Sequence, residues 1–198
     1  MMKRMLLGAL LLSAGSAMMA QESRQDISVS AIGVWQPQVN GNGSQLNASM
    51  TMGGLVSYRY LVTPRSGLEV NYSFSQYTDY FRTSFTRPAV HVRQQEITGA
   101  YVYSRNYGNY NPFVEVGVGG YIMSPIRDFG TSSLDTKQNT NIGALFGAGV
   151  AYELSPSWDL RVAYRAFVLK APNFGLDSVA TRRYTVISTP AVGFAYHF

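Results

Sequence analysis

The sequence predicts an all-β fold: an eight-stranded antiparallel up-and-down transmembrane β-barrel, preceded by a signal peptide. Three observations predict it. Segments of about ten residues alternate large apolar side chains with small or polar ones, the period of two that belongs to strands. Eight such segments follow the leader, and an even count returns the chain to its starting side. The links between them alternate between short and long.

The leader comes first in the chain. Lys3 and Arg4 precede the apolar run "MLLGALLLSA" and the small-residue stretch "GSAMMA". Basic, apolar and small regions in that order make a secretory signal peptide. Even counted to Ala20 the run has 16 residues and contains Gly and Ser, which is short for a membrane helix. The expected domains are therefore residues 1–20, cleaved after Ala20 or after Ala17, and a single barrel domain over 21–198.

Composition narrows the class. Charged residues are 14% of the chain, against roughly 25% in ordinary soluble domains. Aromatics are 13%, with 14 Tyr, and 19 glycines are spread along the chain. Beyond the leader no apolar stretch is long enough for a spanning helix. Without Lys3 and Arg4, 14 basic residues stand against 11 acidic ones, a net charge of +3 in no run. Scattered charge of that size gives no basis for nucleic-acid binding. There is no cysteine, which excludes disulfides, thiol nucleophiles and zinc–thiolate sites.

The expected strands run from Ile27 to Trp35, Met50 to Val62, Leu68 to Ser75 and His91 to Tyr103. The other four run from Phe113 to Met123, Asn141 to Leu154, Trp158 to Lys170 and Tyr184 to Phe198. "TPRSG", "SRNYGNYNP" and "SPS" are the short links. "QPQVNGNGSQLNAS", "QYTDYFRTSFTRPAV", "SPIRDFGTSSLDTKQNT" and "APNFGLDSVATRR" are the long ones. Pro190 cannot donate to a ladder, so a bulge or the strand's outer rim is expected there.

One phase of the alternation is apolar throughout. It includes Val56, Leu68, Val70, Ile97, Val116, Val118, Phe146 and Val162, with no charge in the strand centres. A charge on the lipid face would cost roughly 2–4 kcal/mol at the midplane. Tyr58, Tyr60, Tyr101, Tyr103 and Tyr152 gather at the short-turn ends, as an interfacial aromatic girdle would. A preference of aromatics for strands does not explain that gathering.

The opposite phase carries Arg59, Glu69, Glu96, Glu115, Arg161 and Arg165. Three carboxylates match three guanidinium groups, as buried charges require. Small inward residues such as Gly117, Gly147 and Gly149 leave room for them. Eight strands enclose an interior that side chains can fill. The expected lumen is a salt-bridged plug, which either only holds the barrel together or re-partners to open a narrow pore.

This pattern resembles the small eight-stranded outer-membrane barrels of Gram-negative bacteria, of the OmpA transmembrane-domain, OmpX and opacity-protein type. The residues that carry the resemblance most specifically are Val192, Phe194, Tyr196 and Phe198 at the end of the chain. The resemblance implies that they form the insertion signal read by the barrel-assembly machinery, with periplasmic chaperones acting beforehand. It also implies an outer-membrane location, periplasmic termini and extracellular long loops. The lipid partners would be outer-membrane lipid and lipopolysaccharide. OmpA itself carries a further peptidoglycan-binding domain, and that function does not carry over to a chain expected to stop at its last strand. A monomer without cofactor or metal is expected.

Catalytic readings are weaker. Only two histidines occur, and the His-x-Ser spacing of outer-membrane lipid deacylases is absent from "HVR". His91 with Asp79 and Ser84 at the outer rim is the one constellation to test, and nothing fixes a nucleophile–base pair. Asp128 and Asp135 could hold a surface cation, though two scattered acids more often belong to a solvated loop. The leading function is an envelope scaffold that presents four extracellular loops, and a narrow gated pore is the alternative. A lipid-modifying enzyme and a soluble ligand-binding barrel rank below both.

Overall fold

The computed structural model describes residues 24–83, 88–127, 136–176 and 180–198. The expected signal peptide, Ser84, and Asp128 with Asp135 lie outside the described residues.

The chain forms β1 (Gln25–Val34), β2 (Val39–Gly41), β3 (Ser44–Ala48), β4 (Thr51–Thr63) and β5 (Ser66–Arg82). It continues with β6 (Ala89–Ser104), β7 (Tyr110–Pro125), β8 (Asn139–Ser155), β9 (Trp158–Lys170) and β10 (Tyr184–His197). Strands β1 and β4 to β10 pair antiparallel with their neighbours in chain order. β1 also pairs with β10, through contacts such as Ile27 with Tyr196 and Val29 with Phe194. The sheet is thus a closed eight-stranded barrel, and closure leaves it no free edge.

Alternation drives the sidedness. On β5, Leu68, Val70, Tyr72 and Phe74 point out while Glu69, Asn71, Ser73 and Ser75 are buried inside. The outward band is completed by residues such as Val56, Ile97, Val116, Val118, Phe146, Val162 and Phe194, all exposed. Water cannot be the solvent for so continuous an apolar ring, whereas lipid can. A spanning strand needs about 9–11 residues. β5 and β8 have 17 each and so extend past the band.

Two expectations need correction. The first long link is not simply a loop, because β2 and β3 form a hairpin inside it, with Val39 opposite Leu46. Its turn is Asn42–Gly43, both at positive φ (51° and 71°), as a tight primed hairpin turn requires. The strand expected to stop at Ser75 continues to Arg82, where Tyr80 and Phe81 pair with Asn47 and Leu46 of β3.

Pro190 causes no bulge and does not lie at the rim. The β9 ladder runs through it unbroken, opposite Tyr164. The β1 ladder stops at Ile32–Ala191 and resumes at Trp35–Ser188 in the same register. The missing donor is therefore absorbed on the β1 side. There Gly33 faces the proline ring, which would lie 3.4 Å from a Cβ.

Candidate functional site

The inward faces of the strands bring a charged cluster together in the lumen. β4 supplies Arg59 and β5 supplies Glu69, which are register partners. Arg59 Nε donates to Glu69 Oε2 at 2.7 Å, and Nη2 lies 2.6 Å from the same oxygen. β9 supplies Arg161 and Arg165, four residues apart on its inward face. Arg161 Nη2 donates to Asp26 Oδ1 at 3.0 Å, and its Nη1 lies 3.7 Å from Glu69. Arg165 Nη2 donates to Glu96 Oε1 at 2.7 Å, and its Nε lies 3.3 Å from Glu115.

Neutral groups complete the cluster. Glu96 accepts from Ser73 Oγ at 2.8 Å, Tyr121 OH at 3.0 Å and Thr98 Oγ1 at 3.2 Å. The Phe113 ring carries the guanidinium of Arg59 at 4.9 Å and that of Arg161 at 5.8 Å. β8 makes room with glycines, since a Cβ on Gly147 would strike the Glu115 carboxylate and one on Gly149 the Phe113 ring. The void left among these side chains is about 20 Å³, close to the space of one water.

All six lumen residues named from the sequence are buried. The balanced count is corrected: Asp26 is a fourth carboxylate, buried and paired with Arg161. It lies one residue before the expected start of the first strand, so the alternation did not reach it. At the short-turn mouth His197 Nε2 lies 2.8 Å from Asp159 Oδ2.

The lumen has a second, apolar feature. Above the charges Tyr121 packs on Phe167 at 4.4 Å between centroids. Higher still, Leu46, Phe81, Val90, Val92, Met123, Leu169, Phe174 and Ile187 form an apolar core. Phe81 meets Phe174 edge-on at 6.1 Å. The β2–β3 hairpin and the link after β9 thus cap the barrel from the long-loop end. Val39, Leu46 and Phe174 carry the signal as isolated apolar residues in otherwise polar loops.

The girdle tyrosines Tyr58, Tyr60, Tyr101 and Tyr103 are exposed at the short-turn end, and Tyr152 is half-buried against Tyr110 at 5.0 Å. Trp158 stands beside Tyr196 at 5.1 Å and extends the ring. Val192, Phe194 and Tyr196 point outward on β10, and Phe198 stacks on Tyr196 at 6.2 Å. His91 and Asp79 do not meet as a catalytic pair. Asp79 is fully buried on the inner face of β5, opposite Val90, while His91 sits on the other face of β6, opposite Thr78.

Fold and site together define a membrane-spanning β-barrel whose lumen is filled by its own side chains. The chain belongs to the outer membrane protein β-barrel domain family, whose model matches residues 7–198. A sequence comparison with curated proteins finds no match. Among solved structures it is similar to OprG of Pseudomonas aeruginosa, with a TM-score of 0.65 at 12% identity over 90% of this chain and 97% of that one. Neisserial surface protein A has a TM-score of 0.60 at 14% identity, covering 89% and 98%. AlkL, solved in lipid bilayers, has a TM-score of 0.51 at 19% identity, covering 90% and 92%. At such identities the likeness is one of fold.

Proposed function

We propose that the protein is a non-enzymatic scaffold of the outer membrane. Its barrel is closed by its own side chains and its four long loops face outward. The observation that carries this reading is the double closure of the lumen, by the Arg–carboxylate cluster and by the apolar core above it. The short-turn end, with both termini, faces the periplasm, and lipopolysaccharide surrounds the opposite rim. Val192, Phe194, Tyr196 and Phe198 act as the insertion signal for the barrel-assembly machinery after chaperones deliver the chain. It works as a monomer, without nucleic acid. The alternative, a narrow gated pore, is favoured by one feature. Arg161 and Arg165 each stand between two carboxylates and could exchange them.

The chain has no cysteine of its own, so single cysteines report orientation cleanly. Asn42→Cys, at the hairpin tip, is expected to react with a membrane-impermeant maleimide on intact cells. Asn106→Cys, in a short turn, is expected to react only after the outer membrane is opened. The reverse pattern would overturn the assigned orientation.

A further inference from the structure

The wall of the barrel parts between β8 and β9 on its long-loop rim. β7 and β8 stay paired as far as Met123 and Asn139. β9 and β10 stay paired as far as Lys170 and Tyr184. Between them, the β8–β9 ladder ends at Gly143 and Leu169. Residues Asn139 to Ile142 therefore continue β8 without a partner on the β9 side. Asparagine side chains bridge the split: Asn141 Nδ2 donates to the Lys170 carbonyl at 2.8 Å, and Asn139 Nδ2 donates to Asn173 Oδ1 at 3.1 Å.

The split opens a cavity of about 430 Å³, lined by Asn139, Asn141, Lys170, Asn173 and Arg182 with two alanines. That volume lies within the roughly 300–1,000 Å³ of ordinary ligand clefts. Among the described residues no acidic side chain lines it, and neither Lys170 nor Arg182 has an ion-pair partner there. The contrast with the lumen is sharp, because Arg59, Arg161 and Arg165 all have carboxylates there. Asn139 Oδ1 is buried and has no hydrogen-bond partner among the described residues.

Height decides what such a pocket meets. Lys170 is exposed on the outward face of β9, two residues beyond Val168 of the apolar band. Ile142, 81% exposed, ends the band on β8 just below it. The cavity therefore opens at the split in the wall, at the level where hydrocarbon gives way to headgroups. A guanidinium and an ammonium bind phosphate with charge-assisted hydrogen bonds. The amide side chains of Asn139, Asn141 and Asn173 that line it suit sugar hydroxyls. Basic pockets at the level of the headgroups are built for anionic lipid heads.

We infer that the β8–β9 notch binds a phosphate-bearing sugar, held in place by Lys170 and Arg182, and that its source is a glycolipid of the surrounding leaflet. The choice of a glycolipid rests on the orientation proposed above. The binding itself is tested in a symmetric bilayer, where orientation does not matter.

The refolded chain would be placed in nanodiscs of zwitterionic phospholipid and titrated with diphosphorylated lipid A while amide resonances are followed. Saturable shifts centred on Asn139, Asn141, Lys170 and Arg182 are expected. A Lys170→Ala/Arg182→Ala double variant is expected to bind at least about tenfold more weakly. Both side chains are exposed, and heat-dependent gel mobility verifies that the variant folds. Dephosphorylated lipid A should leave the site silent. Glucosamine 1-phosphate in solution should give the same shifts only at far higher concentration. If it matches lipid A, the phosphosugar site stands and its source is soluble, which overturns the glycolipid assignment. Equal binding of phosphorylated and dephosphorylated lipid, or no effect of the double variant, would overturn the site.

Discussion

Arg165 is the sharpest point at which to test the lumen. It is 3% exposed and stands between Glu96 and Glu115. Among the described residues the cluster holds four carboxylates, Asp26, Glu69, Glu96 and Glu115, against three guanidinium groups. Arg165→Ala leaves four against two. Glu115 then loses its ion pair, and Glu96 keeps only its neutral donors Ser73, Thr98 and Tyr121. Breaking a buried pair from one side costs about 3–5 kcal/mol. Glu96→Gln in the native background should cost about 1–3 kcal/mol, because it weakens a charged hydrogen bond. In the Arg165→Ala background the same change removes an uncompensated charge and should recover about 1–2 kcal/mol. Its sign therefore inverts. The assay is urea unfolding of the refolded barrel in lipid vesicles, followed by tryptophan fluorescence, with an unchanged denaturant slope. A cost below about 1 kcal/mol for Arg165→Ala would refute the reasoning. So would a Glu96→Gln effect of the same sign in both backgrounds.

Four further outcomes follow from the same geometry. Gly149→Ala drives a methyl group into the Phe113 ring and the Val162 carbonyl and should cost about 1–3 kcal/mol. Gly54→Ala, with nothing within 4 Å of the new carbon, should stay within about 0.5 kcal/mol in the same unfolding assay. Asp79 is fully buried and neither carboxylate oxygen has a hydrogen-bond partner among the described residues, so Asp79→Leu should raise stability by about 1–3 kcal/mol. A lowered urea midpoint would mean that the carboxyl group holds something in place. Val118→Arg on the exposed apolar band should cost roughly 2–4 kcal/mol in lipid, and a neutral result would remove Val118 from the hydrocarbon face.

The barrel was legible because two solvents meet each strand. Lipid outside and a polar lumen inside impose one rule on Leu68, Glu69, Val70 and their counterparts around the sheet. Above the band both solvents change. On the upper part of β5, Gln76 and Thr78 point out while Tyr77 and Phe81 are buried inside. The period of two persists but its polarity becomes mixed, with Asp79 inside and Tyr80 outside, and the strand reads as a loop. The apolar cap was hidden for another reason. Leu46, Val90 and Phe174 come from separate links, and only the closed fold brings them together. Asp26 escaped because the first strand starts earlier than its apolar pattern does. The parting of β8 and β9 left no trace in the alternation, because Asn141 and Lys170 keep the period although their strands no longer pair.

A closed lumen makes its own most direct prediction in an electrical recording. Single-channel conductance of the refolded chain in a planar bilayer should be silent. Only material whose gel mobility shifts on boiling should be used, so that silence is not misfolding. Discrete openings in the native chain, growing larger in Glu96→Ala or Arg161→Ala, would contradict a scaffold and make the charge cluster the gate of a pore.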